Sequence, residues 1–536
     1  MKETVYINAR LITMDPEQPG GTAFSTLGNR FHHVGTNEEV LDAAGKTAQV
    51  VDMENKVVIP GFIETHNHLS FYALTRLMAD CTPFSNQTLA EVKDKLIQAR
   101  DSQPHAPVIT GWGFDDTMIQ EHRHLTRQDL DEISPDRPIF VSHTCAHLAY
   151  VNSAALALAG ITRETPDPQG GEIARDEHGE PTGLLLEPAA IGLVGKHLPP
   201  PDTETFMEAL PLALADYNAA GVTSTHDAAI GVFGQGPGSM EAYRALEKEG
   251  KLSVRTYLTV MSDYYDTFIE KGIRNGFGSD RLRFGSVKLL QDGSIQGMTA
   301  ALGQDYHNRP GFQGELIFPQ EAFNELVAKY HNLGMQVAVH ANGDRAIESV
   351  ITAFEHANAH NRNTALRHMI IHCQTASTCH LKRMKSLGII PSYFINHVHH
   401  WGDRHHDIFL GPDRAARMNP LAESIKEGLT FTLHADTPIL PISPLESIHN
   451  AVNRTTRNGR LLGADQRIGP MDALKTFTSD AALCSFEEDK KGRIAPGLLA
   501  DFAVLSQDPL SIEPQKIRDI EVLETVVGGE QVYLKK

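Results

Sequence analysis

Histidine stands where this sequence could use it for chemistry. The run VIPGFIETHNHL ends in His66 and His68. Residues two apart in a strand face one side, so both imidazoles can point into one cavity. The run RFGSVKLLQDG holds Lys288 and then Asp292, MQVAVHANGD holds His340, LRHMIIHCQ holds His372, and LTFTLHADTP ends in His434-Ala435-Asp436. Imidazoles joined by a carboxylate are the donors that borderline-soft divalent cations select, zinc above all. Singly these signals are weak. A lone H-x-H is usually an exposed pair, and His340 or His372 alone reads as a core histidine with its hydrogen bonds met. Lys288 is harder to dismiss, because lysine is almost never fully buried unless paired or modified. The joint pattern, metal-capable groups closing five apolar runs, is what points to a metal site.

Those runs must be positioned by a fold. Eight stretches read as strands: residues 57–63, 222–225, 252–260, 282–290, 335–339, 368–371, 389–394 and 429–433. Helical patterns separate most of them, at 240–249, 321–331 and 345–360. In the last, Ile347, Val350, Ile351 and Phe354 form one apolar stripe. Repeated strand–helix units imply a parallel sheet, and eight imply a closed α/β barrel, the (β/α)8 or TIM barrel. Such barrels carry catalytic groups at the C-terminal ends of different strands. Short strand-like runs at both termini, with a Gly528-Gly529 hairpin signal, read as one split β-domain. The expected division is a small β-sandwich from 1–56 and 491–536, and a barrel from 57–490. Roughly 150 residues separate the first two barrel runs, too many for a loop. This insert, about 70–220, is expected to fold near the mouth, with strands at 108–112 and 138–143 and a helix at 89–100.

Composition excludes some functions. The net charge is −19, which argues against a nucleic-acid partner, since that needs a basic face. No signal-peptide core opens the sequence, and no apolar run is long enough to span a membrane. The five cysteines are scattered without disulfide or zinc-knuckle spacing. A reducing, cytoplasmic location is the natural expectation.

The motifs carry a resemblance. The chain resembles the amidohydrolase superfamily, in the amidohydrolase family 3 branch that includes N-substituted formamide deformylase-like proteins. VIPGFIETHNHL, GVTSTHDAA, VKLLQDGSIQG, HANGDRAI, HADTP and KGRIAPGLLADFAVL carry it along nearly the whole chain. GWGFDD, HTCAHLAYVNSAAL and HVHHWGD add to it, with Cys145-Ala146 where the branch more usually has Ser-Gly. The resemblance implies two Zn2+ per chain, although other divalent metals suit the same donors. His66 and His68 would hold the more buried ion with Asp436 beside it, and His340 and His372 the second. Lys288 would bridge the two as a CO2-derived carbamate. An unmodified Lys288 paired to Asp292, with one metal, is the alternative.

The expected reaction is hydrolysis of a C–N amide bond in a small N-acyl or N-formyl amine. Metal-activated water attacks, and Asp436 moves the proton. His397, His147 and His226 are candidates to hold the oxyanion. Trp112, Asp115, Asp292 and Trp401 are candidates to touch substrate. Core packing for either tryptophan, or helix capping for Asp115, is the plainer reading. The other histidines of the 397–406 cluster are expected in solvated loop. Cyclic amides, deamination and ester hydrolysis are alternatives on the same metals, and a non-catalytic scaffold is a further one. The expected partner is a small-molecule amide, with homo-oligomers common among such barrels.

Overall fold

The computed structural model describes residues 3–231 and 238–536. Eight parallel strands form one sheet in chain order: β1 (Phe62–Asn67), β2 (Val222–Ile230), β3 (Arg255–Met261), β4 (Leu282–Leu290), β5 (Val337–Ala341), β6 (Met369–His372), β7 (Ile390–Tyr393) and β8 (Thr432–Leu433). Side chains help return the last strand to the first. The Thr65 hydroxyl bonds Thr432 Oγ1 at 2.9 Å and the Leu433 carbonyl at 3.4 Å. The chain folds as an α/β (β/α)8 barrel with a small β-sandwich. Helices Gly238–Lys248, Gln320–Asn332 and Asp344–His360 fall where the apolar periodicity puts them, and Ile347, Val350, Ile351 and Phe354 are buried.

The stretch at 57–63, expected as the first barrel strand, is two strands. Val57–Pro60 pairs antiparallel with Phe502–Leu505 in the terminal sheet, and only from Phe62 does the chain enter the barrel. The change of sheet occurs at Pro60-Gly61, where a proline lacks the N–H for a continued ladder. Gly61 runs so close to β2 that an added Cβ would lie 2.1 Å from Thr223 Cγ2. β2 is longer than its 222–225 signal, whereas β8 keeps only two residues of 429–433.

The termini build two sheets, one of four strands and one of six. Tyr6, Phe24 and Phe31 from the first pack against Val58, Phe502 and Val526 from the second. Gly528 and Gly529 take φ of 62° and 76°, the left-handed pair that a two-residue hairpin needs. An ion pair ties this β layer to the barrel. Arg255 of β3 donates from Nε and Nη2 to Asp501 at 2.6 and 2.9 Å, with both side chains buried.

The chain divides into two compact units: the residues up to Leu69 with Leu214–Lys536, and Ser70–Ala213. The second has its own mixed six-stranded sheet, which includes Ile109–Phe114, Ile139–His143 and Leu148–Val151. Its core forms around Phe114, Ile139, Val141 and Tyr150. Helix Leu89–Ser102 starts at a Thr88–Glu91 capping box. Among the described residues, no helix is long and apolar enough to cross a membrane.

Removing one partner of a buried, bidentate ion pair strands the other charge. Asp501→Ala is therefore expected to lower unfolding free energy by about 3–5 kcal/mol, measured by urea denaturation. A loss under about 1 kcal/mol would show the pair to be incidental.

Candidate metal centre

The C-terminal ends of the barrel strands bring the predicted donors together. His66 Nε2 and His68 Nε2 lie 3.3 and 3.4 Å from the same atom, Asp436 Oδ1. That oxygen is buried and has no hydrogen bond of good geometry. The His68 ring is oriented from behind, because its Nδ1 contacts the Ala228 carbonyl at 2.8 Å. Three donor atoms facing one point, one ring held by a backbone carbonyl, is how protein side chains present themselves to a divalent cation. The donor set therefore fits the metal that the sequence implies.

His340 and His372 continue the cluster. His340 Nδ1 and His372 Nε2 face each other at 3.1 Å, and the outer Nε2 of His340 contacts the Gly293 carbonyl, also at 3.1 Å. His372 Nδ1 in turn meets His434 Nε2 at 3.1 Å, and His434 Nδ1 meets Ser392 Oγ at 2.8 Å. Burial holds His66 and His372 well below the ordinary imidazole range, with Lys288 adding to the effect on His66 and His340 to that on His372. Burial also lowers His434 to about 3. Neutral imidazole is the form that binds metal. Burial alone would raise the Asp436 carboxyl, but the His66 and His68 imidazoles outweigh it and keep it well below the usual carboxylate range. His372 and Asp436 both take left-handed backbone, with φ of 70° and 58°. Such strain is found where a fold over-determines a functional position.

Lys288 is 3 % exposed. Burial depresses its amine to about 8, against the opposing pull of Asp436. Asp292 does not pair with it. The Asp292 carboxylate is turned into the loop backbone, where it accepts from the N–H groups of Ala301, Asn342 and Gly343 at 2.8–3.0 Å. Burial pushes it up to about 7 against those donors. It shapes the segments after β4 and β5 and lies 3.7 Å from His340 Nε2.

The remaining candidates separate. His397 is buried, its ring 4.2 Å from Phe394, 5.5 Å from Trp401 and 6.4 Å from His372. Its Nδ1 has no partner, and its Nε2 meets the Gln296 amide at 3.3 Å. Trp401 packs with Phe394 and Leu440. His226 lies elsewhere in the barrel: its ring sits 4.6 Å from Tyr257, and Lys491 and Glu487 are the charges near it. Lys491 bonds Ser224, two residues earlier in β2, and the Tyr257 hydroxyl donates to Gln336 just before β5. The 397–406 segment is also no solvated loop. It is helical, with His397 and His405 buried, and His405 Nε2 meets the Gln374 amide at 3.2 Å. Apolar neighbours such as Phe394 and Phe409 draw it inward.

Trp112, Asp115 and His147 fall in the Ser70–Ala213 unit. Trp112 is a buried strand residue edge-on to Phe71. Asp115 accepts from the backbone N–H and hydroxyl of Thr117 at 2.9 and 2.6 Å. His147 pairs with Glu187 at 2.7 Å, which raises its pKa.

Two residues had no role in the sequence reading. His434 lies inside the HADTP motif, and Glu64 stands two residues before the H-x-H pair. Glu64 is fully buried; its two oxygens accept the N–H groups of His66 and Ala435, both at 3.3 Å. One side chain thus aligns the two segments that carry His66 and Asp436. Burial raises it well above the carboxylate range, the backbone donors opposing. Its position next to the motif was the only signal.

The description "amidohydrolase family" matches residues 49–533. The protein YtcJ of Bacillus subtilis (strain 168) is 32% identical over 540 residues, covering 96% of this chain and 99% of its own. An N-substituted formamide deformylase of Arthrobacter pascens is 31% identical over 544 residues, covering 99% and 98%. The crystal structure of an uncharacterized metal-dependent hydrolase from Pyrococcus horikoshii OT3 superposes with a TM-score of 0.79 at 24% identity, covering 96% and 99%.

Replacing Glu64 by alanine removes an acceptor shared by two buried backbone donors. Glu64→Ala is expected to weaken metal affinity by roughly 10- to 100-fold, read by competition with a chromogenic chelator. Unchanged affinity in a folded variant would show that Glu64 does not align the site.

Proposed function

The chain belongs to the amidohydrolase family, and we propose that it is a metal-dependent hydrolase of the C–N amide bond in small N-acyl or N-formyl amines. The observation that supports this most is the convergence of His66 Nε2 and His68 Nε2 on Asp436 Oδ1, with His340, His372 and the buried Lys288 amine close by. The formyl or acyl amine rests on the similarity to the Arthrobacter deformylase. In this reading His66, His68 and Asp436 hold one ion and His340 and His372 a second, with Zn2+ the best match to imidazole-rich donors. A neutral lysine amine is needed to take up CO2, and burial of Lys288 supports a carbamate there.

A bound divalent cation supplies Lewis acidity and a nucleophile at neutral pH. The protein's own groups do the rest. The Asp436 carboxylate takes the proton of the attacking water and returns it to the leaving nitrogen, which becomes a free amine. His397, neutral through burial and open at Nδ1, donates a hydrogen bond to the developing oxyanion. Phe394 and Trp401 beside it supply an apolar wall. All five cysteines are unpaired, which suits a cytoplasmic setting.

Asp436→Asn is expected to lower kcat by roughly 10²–10⁴-fold while retaining metal, checked by steady-state kinetics beside elemental analysis. An unchanged kcat would overturn the proton-transfer role. Protein prepared without chelator is expected to hold roughly two divalent cations per chain, and carbon-13 bicarbonate to give a carbamate signal that Lys288→Ala abolishes. One cation and no carbamate would instead establish a mononuclear site. In a panel of formanilides, N-acyl amines, hydantoins and aryl esters, the formanilides and N-acyl amines are expected to turn over fastest. A preference for hydantoins or esters would move the reading to cyclic amides or to ester hydrolysis.

A further inference from the structure

A second group of reactive side chains lies wholly within the Ser70–Ala213 unit, and the proposed hydrolysis gives Cys145, His143 and Asp116 no role. His143 ends strand Ile139–His143, and the chain turns sharply there. Ala146 N–H bonds the His143 carbonyl at 3.0 Å, and Ala146 is left-handed with φ of 59°. This turn folds Cys145 back onto the histidine. His143 Nδ1 accepts the Cys145 backbone N–H at 3.0 Å and also lies 3.0 Å from Cys145 Sγ. On the other edge of the ring, Nε2 lies 3.3 Å from Asp116 Oδ1 and 3.9 Å from Asp115 Oδ1. The backbone N–H of His147 points at Sγ from 3.4 Å.

A thiol is thus joined to an imidazole whose far nitrogen is held by a carboxylate. With its Nε2 proton directed at Asp116, the ring keeps Nδ1 as an acceptor that the Cys145 N–H and the thiol proton share, and when Nδ1 takes the thiol proton the His147 N–H steadies the sulfur anion. We propose that Cys145 is a modification site, a thiolate activated by His143 and Asp116 that hydroperoxides oxidise to a sulfenic acid. The sulfur attacks one peroxide oxygen, an S–O bond forms and the O–O bond breaks. Sulfur loses two electrons to the peroxide, and the departing hydroxide, or the alkoxide of an organic hydroperoxide, takes the His143 proton and leaves as water or as the alcohol.

The surroundings favour this charge state. Burial opposes a charged ring at His143, but Asp116 and Cys145 outweigh it and hold the imidazole up at about 10. Burial likewise raises Cys145, and the His143 contact outweighs it and lowers the thiol. The titratable groups that face the pair are Asp115, Asp116, His147 with its partner Glu187, His124 and Tyr150. Access discriminates among the cysteines. Cys145 is partly exposed, Cys81, Cys373 and Cys484 are buried, and Cys379 is exposed. Reactive cysteines need both the thiolate and a path to it.

The test uses the full chain under limiting hydrogen peroxide, with dimedone trapping and peptide mass spectrometry, beside iodoacetamide alkylation rates from pH 5.5 to 8.5. Dimedone adduct is expected at Cys145 at roughly tenfold the level at Cys379. Alkylation of Cys145 is expected to stay fast below pH 7, where the rate for N-acetylcysteine amide falls about tenfold per pH unit. His143→Gln is expected to move the Cys145 profile onto that reference, and Asp116→Asn to move it part of the way. Should His143→Gln not fold, the wild-type profile and Asp116→Asn decide. A wild-type Cys145 profile that follows the reference thiol, adduct no higher than at Cys379, or profiles unmoved by either substitution would overturn the proposal.

Discussion

The candidate metal centre depends on keeping a carboxylate and a set of imidazoles, with a lysine amine beside them, out of water and in register. Buried polar groups are tolerated only when each has a partner, and a half-satisfied network is costly. Here satisfaction is arranged from the outside inward. Backbone carbonyls face the outer nitrogens of His68 and His340, and Ser392 faces that of His434. The nitrogens left over turn toward one another and toward Asp436. Asp436 Oδ1, with His66 and His68 Nε2 at 3.3 and 3.4 Å, is the point on which these donors converge.

Two acidic side chains extend the same logic into the backbone. Glu64 accepts one N–H from each of the segments bearing His66 and Asp436, and Asp292 accepts three around the loops after β4 and β5. Both carboxylates are turned to backbone N–H groups. They replace hydrogen bonds that the irregular rim of a barrel cannot supply to itself, since the strand ladders have ended there. That rim is also where left-handed backbone gathers, at His372, Cys373 and Asp436. Next to Asp436, the Ala435 N–H is held by Glu64, and the Cys373 N–H is held by the Ala341 carbonyl. Farther down, Arg255 and Asp501 join β3 to the terminal sheet, so the layer built from both chain ends and the barrel meet through a satisfied ion pair.

Much of this was readable in advance. Apolar runs alternating with amphipathic helices specify a parallel barrel, and a histidine or carboxylate at the end of such a run is placed at one rim by strand direction alone. That reasoning reached His66, His68, Lys288, His340, His372 and Asp436. Direction alone does not say what a side chain in such a run meets. His226 also lies in an apolar run, within a strand that continues to Ile230, and its ring packs on Tyr257 with Lys491 and Glu487 the charges near it. His399, His400, His405 and His406 read as solvated loop, and only the packing of His405 on Phe409 shows why it turns inward.

By itself, then, the sequence determined the class of fold, the order of the strands and the identity of the metal-capable donors, because periodicity and strand polarity are local properties of a chain. Tertiary structure decided where sheets exchange, at Pro60-Gly61, and which acids serve the backbone. It also decided which nitrogen of each histidine faces inward, and that Cys145 returns to His143 across a tight turn. Those outcomes depend on partners distant in sequence, or on a backbone conformation that residue types alone do not dictate.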